Sequence, residues 1–152
     1  MGILYHGFIR YLDFNNYIPG KFHKLLTLKC KSGGDRHRIP IYLKMLTGSY
    51  ILQSLRHKIF NEGTYILCMA CNSDVETLEH MILHYKAWSK IREQILPAIV
   101  RLLAEGENVI WSGLDHGDKM QILMDITKTY QSLKINIKTT TEVEFHARRL
   151  LY

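Results

Sequence analysis

Cysteine, proline and long apolar runs are all scarce in this chain. Its 152 residues hold three cysteines and three prolines, too few cysteines for the dense disulfide framework of a small secreted domain. Two of the three, Cys68 and Cys71, stand in a CxxC pair, which in a reducing compartment points to metal rather than to a disulfide; Cys30 is left over as a bystander. No apolar stretch reaches the ~18 residues that a membrane-spanning helix needs, so no membrane partner is expected. The opening MGILYHGFIRYLDF has neither the basic start nor the uninterrupted apolar centre of a secretory signal. His6 stands where a myristoylation signal requires Ser or Thr. These absences predict an intracellular protein, nuclear or cytoplasmic, and not a secreted one. Catalytic signatures are missing too: there is no glycine-rich phosphate loop, no Gly-x-Ser-x-Gly elbow, no His-Glu-x-x-His and no Tyr-x-Asp-Asp turn for polymerase metal ions. The expectation is a protein that is not an enzyme and has no small-molecule substrate.

What is present is an ordinary globular composition, 47% hydrophobic and 22% charged, enough for one compact domain or a domain with a small module. The charge is unevenly spread. Residues 1–60 carry a balance of +8 and residues 61–152 one of −2, within a formal net charge of +6. A basic front half suits phosphates, because Lys and Arg displace condensed counterions from a nucleic acid. A solvated basic face is the plainer reading of such a run.

The chemistry gathers between Cys68 and Tyr85, in CMACNSDVETLEHMILHY. Two cysteines separated by two residues form a knuckle that can present two thiolates to one ion, and two histidines four apart on a helix share a face. Cys68, Cys71, His80 and His84 therefore make a candidate Cys2His2 site for one structural zinc ion. Ser73 or Asp74 is expected to cap the following helix, with Ser73 and Glu76 at capping-box spacing. Glu79, beside His80, is a conceivable base, but neighbouring helical residues point apart. The gap between the second cysteine and the first histidine is too short for a DNA-binding two-Cys two-His finger and too long for a retroviral knuckle.

This stretch resembles the zinc-binding region at the C-terminal end of reverse transcriptases of non-LTR retrotransposons, in which a CxxC is followed by eight residues with an acidic residue and Glu-Thr, a His, four more residues and a Cys. Here the pattern is matched as CMAC-NSDVETLE-H-MILH. Upstream, LKMLTGSYILQSLRHKIFN (Leu43 to Asn61) is similar to the segment that precedes the module in that family, and the likeness runs on more weakly to EFHARRLLY. The family's last cysteine falls on Tyr85. A phenol is a poor zinc ligand and imidazole a common one, which leaves two readings: His84 takes the missing place, or three ligands remain and bind weakly. The resemblance implies a noncatalytic tail that binds RNA or DNA without sequence specificity, zinc holding its shape. Arg36, Arg38, Lys44, Arg56 and Lys58 are the candidate contacts. Rival readings are a helical protein–protein adaptor, and a retroelement fragment without a selected role.

Hydrophobic periodicity predicts a mainly α-helical fold, a helical domain carrying a small zinc-knuckle module. Residues 1–34 read as a leader, with Tyr5, Phe8, Tyr11, Phe14 and Tyr17 on a short aromatic helix and Ser32-Gly33-Gly34 as a linker. These aromatics and the neighbouring lysines could stack on unpaired bases, although core is the plainer use of such a stripe. Residues 35–64 form a helical segment with Pro40 in a first turn and a soft point at Gly48. Residues 65–96 are the knuckle module, an extended lead from Tyr65 to Leu67 and one long helix from about Val75 to Leu96. On that helix Leu78, Met81, Ile82, Tyr85, Trp88 and Ile95 make an apolar stripe. Residues 97–152 hold the C-terminal helices: one opening at Pro97 and ending near Asn108, one from Asp118 towards Tyr130, and a last one opened by Thr141 and Glu144, with His146, Arg148 and Arg149 placed to suit its dipole. His116, next to a glycine and near Asp118, reads as a surface turn.

Overall fold

The computed structural model describes residues 11–12, 19–22, 30–61, 66–129 and 133–150. The fold is mainly helical, and among the described residues the one β interaction is an isolated antiparallel bridge between Leu67 and Val75. The principal helices are α1 (Gly33–Leu46), the short α2 (Gln53–Leu55) running into a π-helical turn (Arg56–Phe60), α3 (Ser89–Glu107), α4 (His116–Asp125) and α5 (Ile137–Leu150). A second π-helical turn, His80–His84, carries the two candidate histidines. No helix among the described residues is long and apolar enough to cross a membrane.

α5 lies at the centre and packs against α1, α3 and α4. Its Val143, Ala147 and Leu150 meet Ile95, Ile99 and Leu103 of α3, Met45 and Leu46 of α1, and Met120 through Met124 of α4 in one buried cluster. Ile82 and Met81 from the knuckle helix enter the same core, so the candidate metal module is seated on the helices rather than tethered beside them. Tyr11 is also core, with its hydroxyl donating to Glu79 Oε1 at 2.6 Å. Its companions Tyr5, Phe8, Phe14 and Tyr17, like Tyr65 and Tyr130, lie outside the described residues.

Several helix boundaries differ from those the sequence predicts. Gly33 and Gly34 form the first turn of α1 rather than a linker, because the Ser32 hydroxyl caps the Asp35 N–H at 3.2 Å. Pro40 consequently lies inside α1. The helix ends at Leu46, and the soft point is Gly48 with φ of 67°, the left-handed turn that glycine takes without strain. The long helix expected from Val75 to Leu96 is two. Residues 73–76 close the knuckle hairpin, Thr77 caps the next turn through the His80 N–H at 3.1 Å, and the chain breaks at Tyr85 before α3 begins. The Arg92 guanidinium stabilises that break by donating to the carbonyls of Ile82 and Tyr85. α3 then runs straight through Pro97; burial of Ile95, Ile99 and Leu103 and a left-handed Asn108 cap offset the lost hydrogen bond. At α5 the cap is Asn136, whose side chain accepts from the Thr139 N–H, so Thr141 and Glu144 are interior residues and not a capping box.

α3 passes close to α5 at Gly106. A β-carbon there would stand 2.9 Å from Thr139 Oγ1. Gly106→Ala should therefore lower the melting temperature, the ~1–3 kcal/mol cost of overpacking outweighing the ~1 kcal/mol helix-propensity gain. Gly33→Ala, where nothing lies within 4 Å, should not. Thermal unfolding of the two variants checks the contrast.

Candidate metal centre

The CxxC turn is held by backbone geometry. The Leu67–Val75 bridge pins its ends, the Cys68 N–H donates to the Asp74 carbonyl at 2.7 Å, and the Asn72 N–H donates to the Cys68 carbonyl at 2.8 Å. Asn72, directly after the second cysteine, has φ of 53°. Asn is among the few side chains that accept this left-handed conformation cheaply, and it turns the chain back towards the helix.

Three ligand atoms converge there. One each from Cys68, Cys71 and His80 lie within 4.8 Å of one another, a group that could hold a metal ion. Cys68 is fully buried, Cys71 half-buried and His80 8% exposed. His80 Nε2 is 3.5 Å from Cys71 Sγ, while His80 Nδ1 faces Asp74 Oδ2 at 3.7 Å. A ring with one nitrogen towards the sulfurs and the other towards a carboxylate has the orientation of a metal-ligating histidine with an outer-shell partner. Cys71 is prepared electrostatically. The Ser73 hydroxyl and the backbone N–H groups of Ser73 and Asp74 donate to its sulfur and lower its thiol pKa to about 6. The thiolate is the species that binds metal, and here it forms at neutral pH.

His84 lies outside this three-residue group. Its ring centroid is 6.4 Å from that of His80, and its ring stacks against His116 at 5.7 Å with the planes 7° apart. Burial of part of the ring, then repulsion from His116 and His80, pushes the His84 pKa below the usual imidazole value, favouring the neutral form a ligand requires. Tyr85 is half-buried and packs edge-on against Trp88 at 6.0 Å.

Three contributors were not legible in the sequence as members of the site: Asp74 behind His80, Ser73 on the Cys71 sulfur, and His116 against His84. Asp74 and Ser73 read as caps, and His116 as a surface turn from a different element. The CxxC knuckle itself would have pointed to Ser73, since the residues just after the second cysteine direct their N–H groups back at its sulfur; no local spacing signals the Asp74 carboxylate behind His80.

The basic candidates are spread over two elements. Arg36 and Lys44 are exposed eight residues apart on α1, hence on one side of it, and Arg38 is half-buried between them. Arg56 and Lys58 are exposed on the π-helical turn. Arg148, expected to answer the α5 dipole, is instead buried and paired with Asp35 of α1 at 2.8 Å. No protein-family model, curated protein or solved structure matches this chain.

Proposed function

We propose that this chain is a noncatalytic module that binds one structural zinc ion through Cys68, Cys71, His80 and His84 and uses its basic surface to bind RNA or DNA. The observation carrying this reading is the convergence of Cys68, Cys71 and His80 with Asp74 behind the imidazole. Two sulfurs and a supported imidazole suit zinc's preference for mixed thiolate and nitrogen ligands. His84, whose ring centroid is 6.4 Å from that of His80, takes the fourth place. The same stretch carries the resemblance to the C-terminal zinc-binding region of non-LTR retrotransposon reverse transcriptases, whose tails are associated with nucleic acid.

A structural rather than catalytic ion is supported by the carboxylates nearby. Asp74 faces the outer nitrogen of His80, and Glu79 is engaged by the Tyr11 hydroxyl, so neither is directed at a metal-bound water as a general base would be. The adaptor reading draws on the exposed Ile59, Phe60 and Met69.

Titrating labelled oligonucleotides with the zinc-loaded protein separates these readings. Affinity should fall steeply between about 50 and about 200 mM salt, as phosphate contacts release counterions. Replacing Arg36 and Lys44 with glutamine should flatten the log–log slope by about one per contact removed. Absence of binding at low salt to any RNA or DNA would overturn the proposal in favour of the adaptor.

A further inference from the structure

We infer that the segment Gln53–Phe60 is the docking surface for unpaired nucleotides, presented by the metal knuckle through Glu76. This rests on the nucleic-acid reading above and narrows it to single strands. The N-cap position of this segment, Leu52, supplies no side-chain hydrogen bond. The cap comes from the knuckle: Glu76 Oε1 accepts the Gln53 N–H at 3.0 Å, and the Glu76 carbonyl accepts the Ser54 hydroxyl at 2.7 Å. Glu76 is itself fixed by its N–H to the Ile66 carbonyl at 3.2 Å, next to the Leu67–Val75 bridge. A carboxylate at a helix start also complements the backbone dipoles there. The hairpin that holds the metal ligands thus sets where this segment points.

What the segment offers is mixed. Ile59 and Phe60 are 58% and 56% exposed, far from the burial their side chains would find in the core, and Arg56 and Lys58 are exposed beside them. Arg56 and Phe60, four residues apart, lie on one side of the turn. A ring next to a guanidinium can take a base on its face while the cation holds the adjoining phosphate. Paired bases in a duplex hide those faces, so this combination selects unpaired strands. Charge argues against a protein partner as the first choice: residues 36–61 contain five Lys/Arg and no acidic residue, a sign that suits a polyanion.

The test uses the full-length, metal-loaded protein with a labelled uridine oligonucleotide and a mixed-sequence DNA duplex as probes. Phe60→Ala should weaken binding of the single strand roughly tenfold with the salt slope and duplex binding unchanged, and Phe60→Trp should restore it. Arg56→Ala should weaken binding and lower the salt slope by about one. Glu76→Ala should weaken single-strand binding while one metal per chain is retained. Unaltered melting temperatures exclude misfolding of the surface variants. Wild-type and Phe60→Ala proteins that bind the oligonucleotide equally well overturn this inference alone. So does self-association by sedimentation that Phe60→Ala abolishes, which would make the face a contact between copies. Wild-type protein that binds neither probe removes the underlying nucleic-acid reading as well.

Discussion

Cys68→Ser should abolish binding of the proposed zinc ion and, with it, the order of residues 66–76, while Met81 and Ile82 stay packed in the core with α3, α4 and α5. The expected loss is large because little else holds the knuckle closed. One isolated bridge and a few backbone hydrogen bonds connect its arms, and Met69, Ile66 and Val75 are exposed rather than packed. A structural zinc ion contributes an apparent ~10–16 kcal/mol in small zinc-dependent peptides, more than such a hairpin can gain from its own burial. The helical core does not depend on it, since Ile95, Ile99, Leu103, Val143 and Leu150 are buried among the helices themselves. Metal analysis should give about one zinc per wild-type chain and none for the variant, and hydrogen exchange should locate the new mobility between Ile66 and Glu76. The weaker variants grade the shell: Asp74→Ala should lower affinity by roughly 10–100-fold as an outer-shell loss, and His84→Ala by more if that imidazole is the fourth ligand. Cobalt substitution gives a second readout, because a tetrahedral Cys2His2 centre and a three-ligand centre absorb differently. A His84→Ala protein with the wild-type cobalt spectrum would sink the four-ligand proposal.

The parts of this centre that were legible in the sequence are those governed by local spacing. A CxxC can close in only a few ways, and a histidine on the next helix turn has few places to go, so Cys68, Cys71 and His80 come together as the pattern suggests. His84 depends on something the pattern does not hold. Its ring has an alternative neighbour, His116, delivered by α4 from thirty-two residues away. The helix boundaries failed for a related reason. Ser73 and Asp74 are good caps by type, but the turn they occupy is committed to closing the knuckle, and the weaker-looking Thr77 caps instead. Pro97 reads as a helix start by local preference, yet α3 tolerates it because its buried face continues on both sides. The helical character around Met120 follows the periodicity, but the burial does not: every residue from Met120 to Thr127 is buried, Gln121 and Asp125 included, and α4 ends at Asp125 because packing on all sides there overrides a one-sided stripe.

The second large effect concerns charges that periodicity could not flag. α1, α4 and α5 meet around Asp35, Tyr42, Asp125, Glu144 and Arg148, each no more than 3% exposed. Arg148 donates to both Asp35 oxygens, at 2.8 and 2.9 Å. Tyr42 donates to the Met124 carbonyl and lies 3.3 Å from Glu144 Oε2. Burial raises Asp35, but the Arg148 hydrogen bond, the Lys31 N–H and the nearby cations prevail and hold it below the usual carboxylate value. Glu144 goes the other way. Burial, then repulsion from Asp125, raises it to about 8 against some help from Arg148. Arg148→Met should accordingly cost ~3–5 kcal/mol, because Asp35 is left as an uncompensated buried charge. That is a large share of the ~5–15 kcal/mol by which a domain is stable.

Glu144→Gln should do the opposite. The unfolded chain releases the Glu144 proton near 4.5, whereas the folded protein keeps it until about 8. Between those values the unfolded state binds fewer protons, so wild-type stability falls as pH rises and levels off above the folded pKa. Glutamine keeps the shape and hydrogen-bonding capacity without the proton. The variant should match wild type in mild acid and exceed it increasingly up to about pH 8, by on the order of a few kcal/mol. Melting curves collected across that window decide the matter: parallel pH profiles for wild type and Glu144→Gln would mean that Glu144 is ionised in the folded protein, held by Arg148, and that the core of this fold carries one more buried charge than its geometry implies.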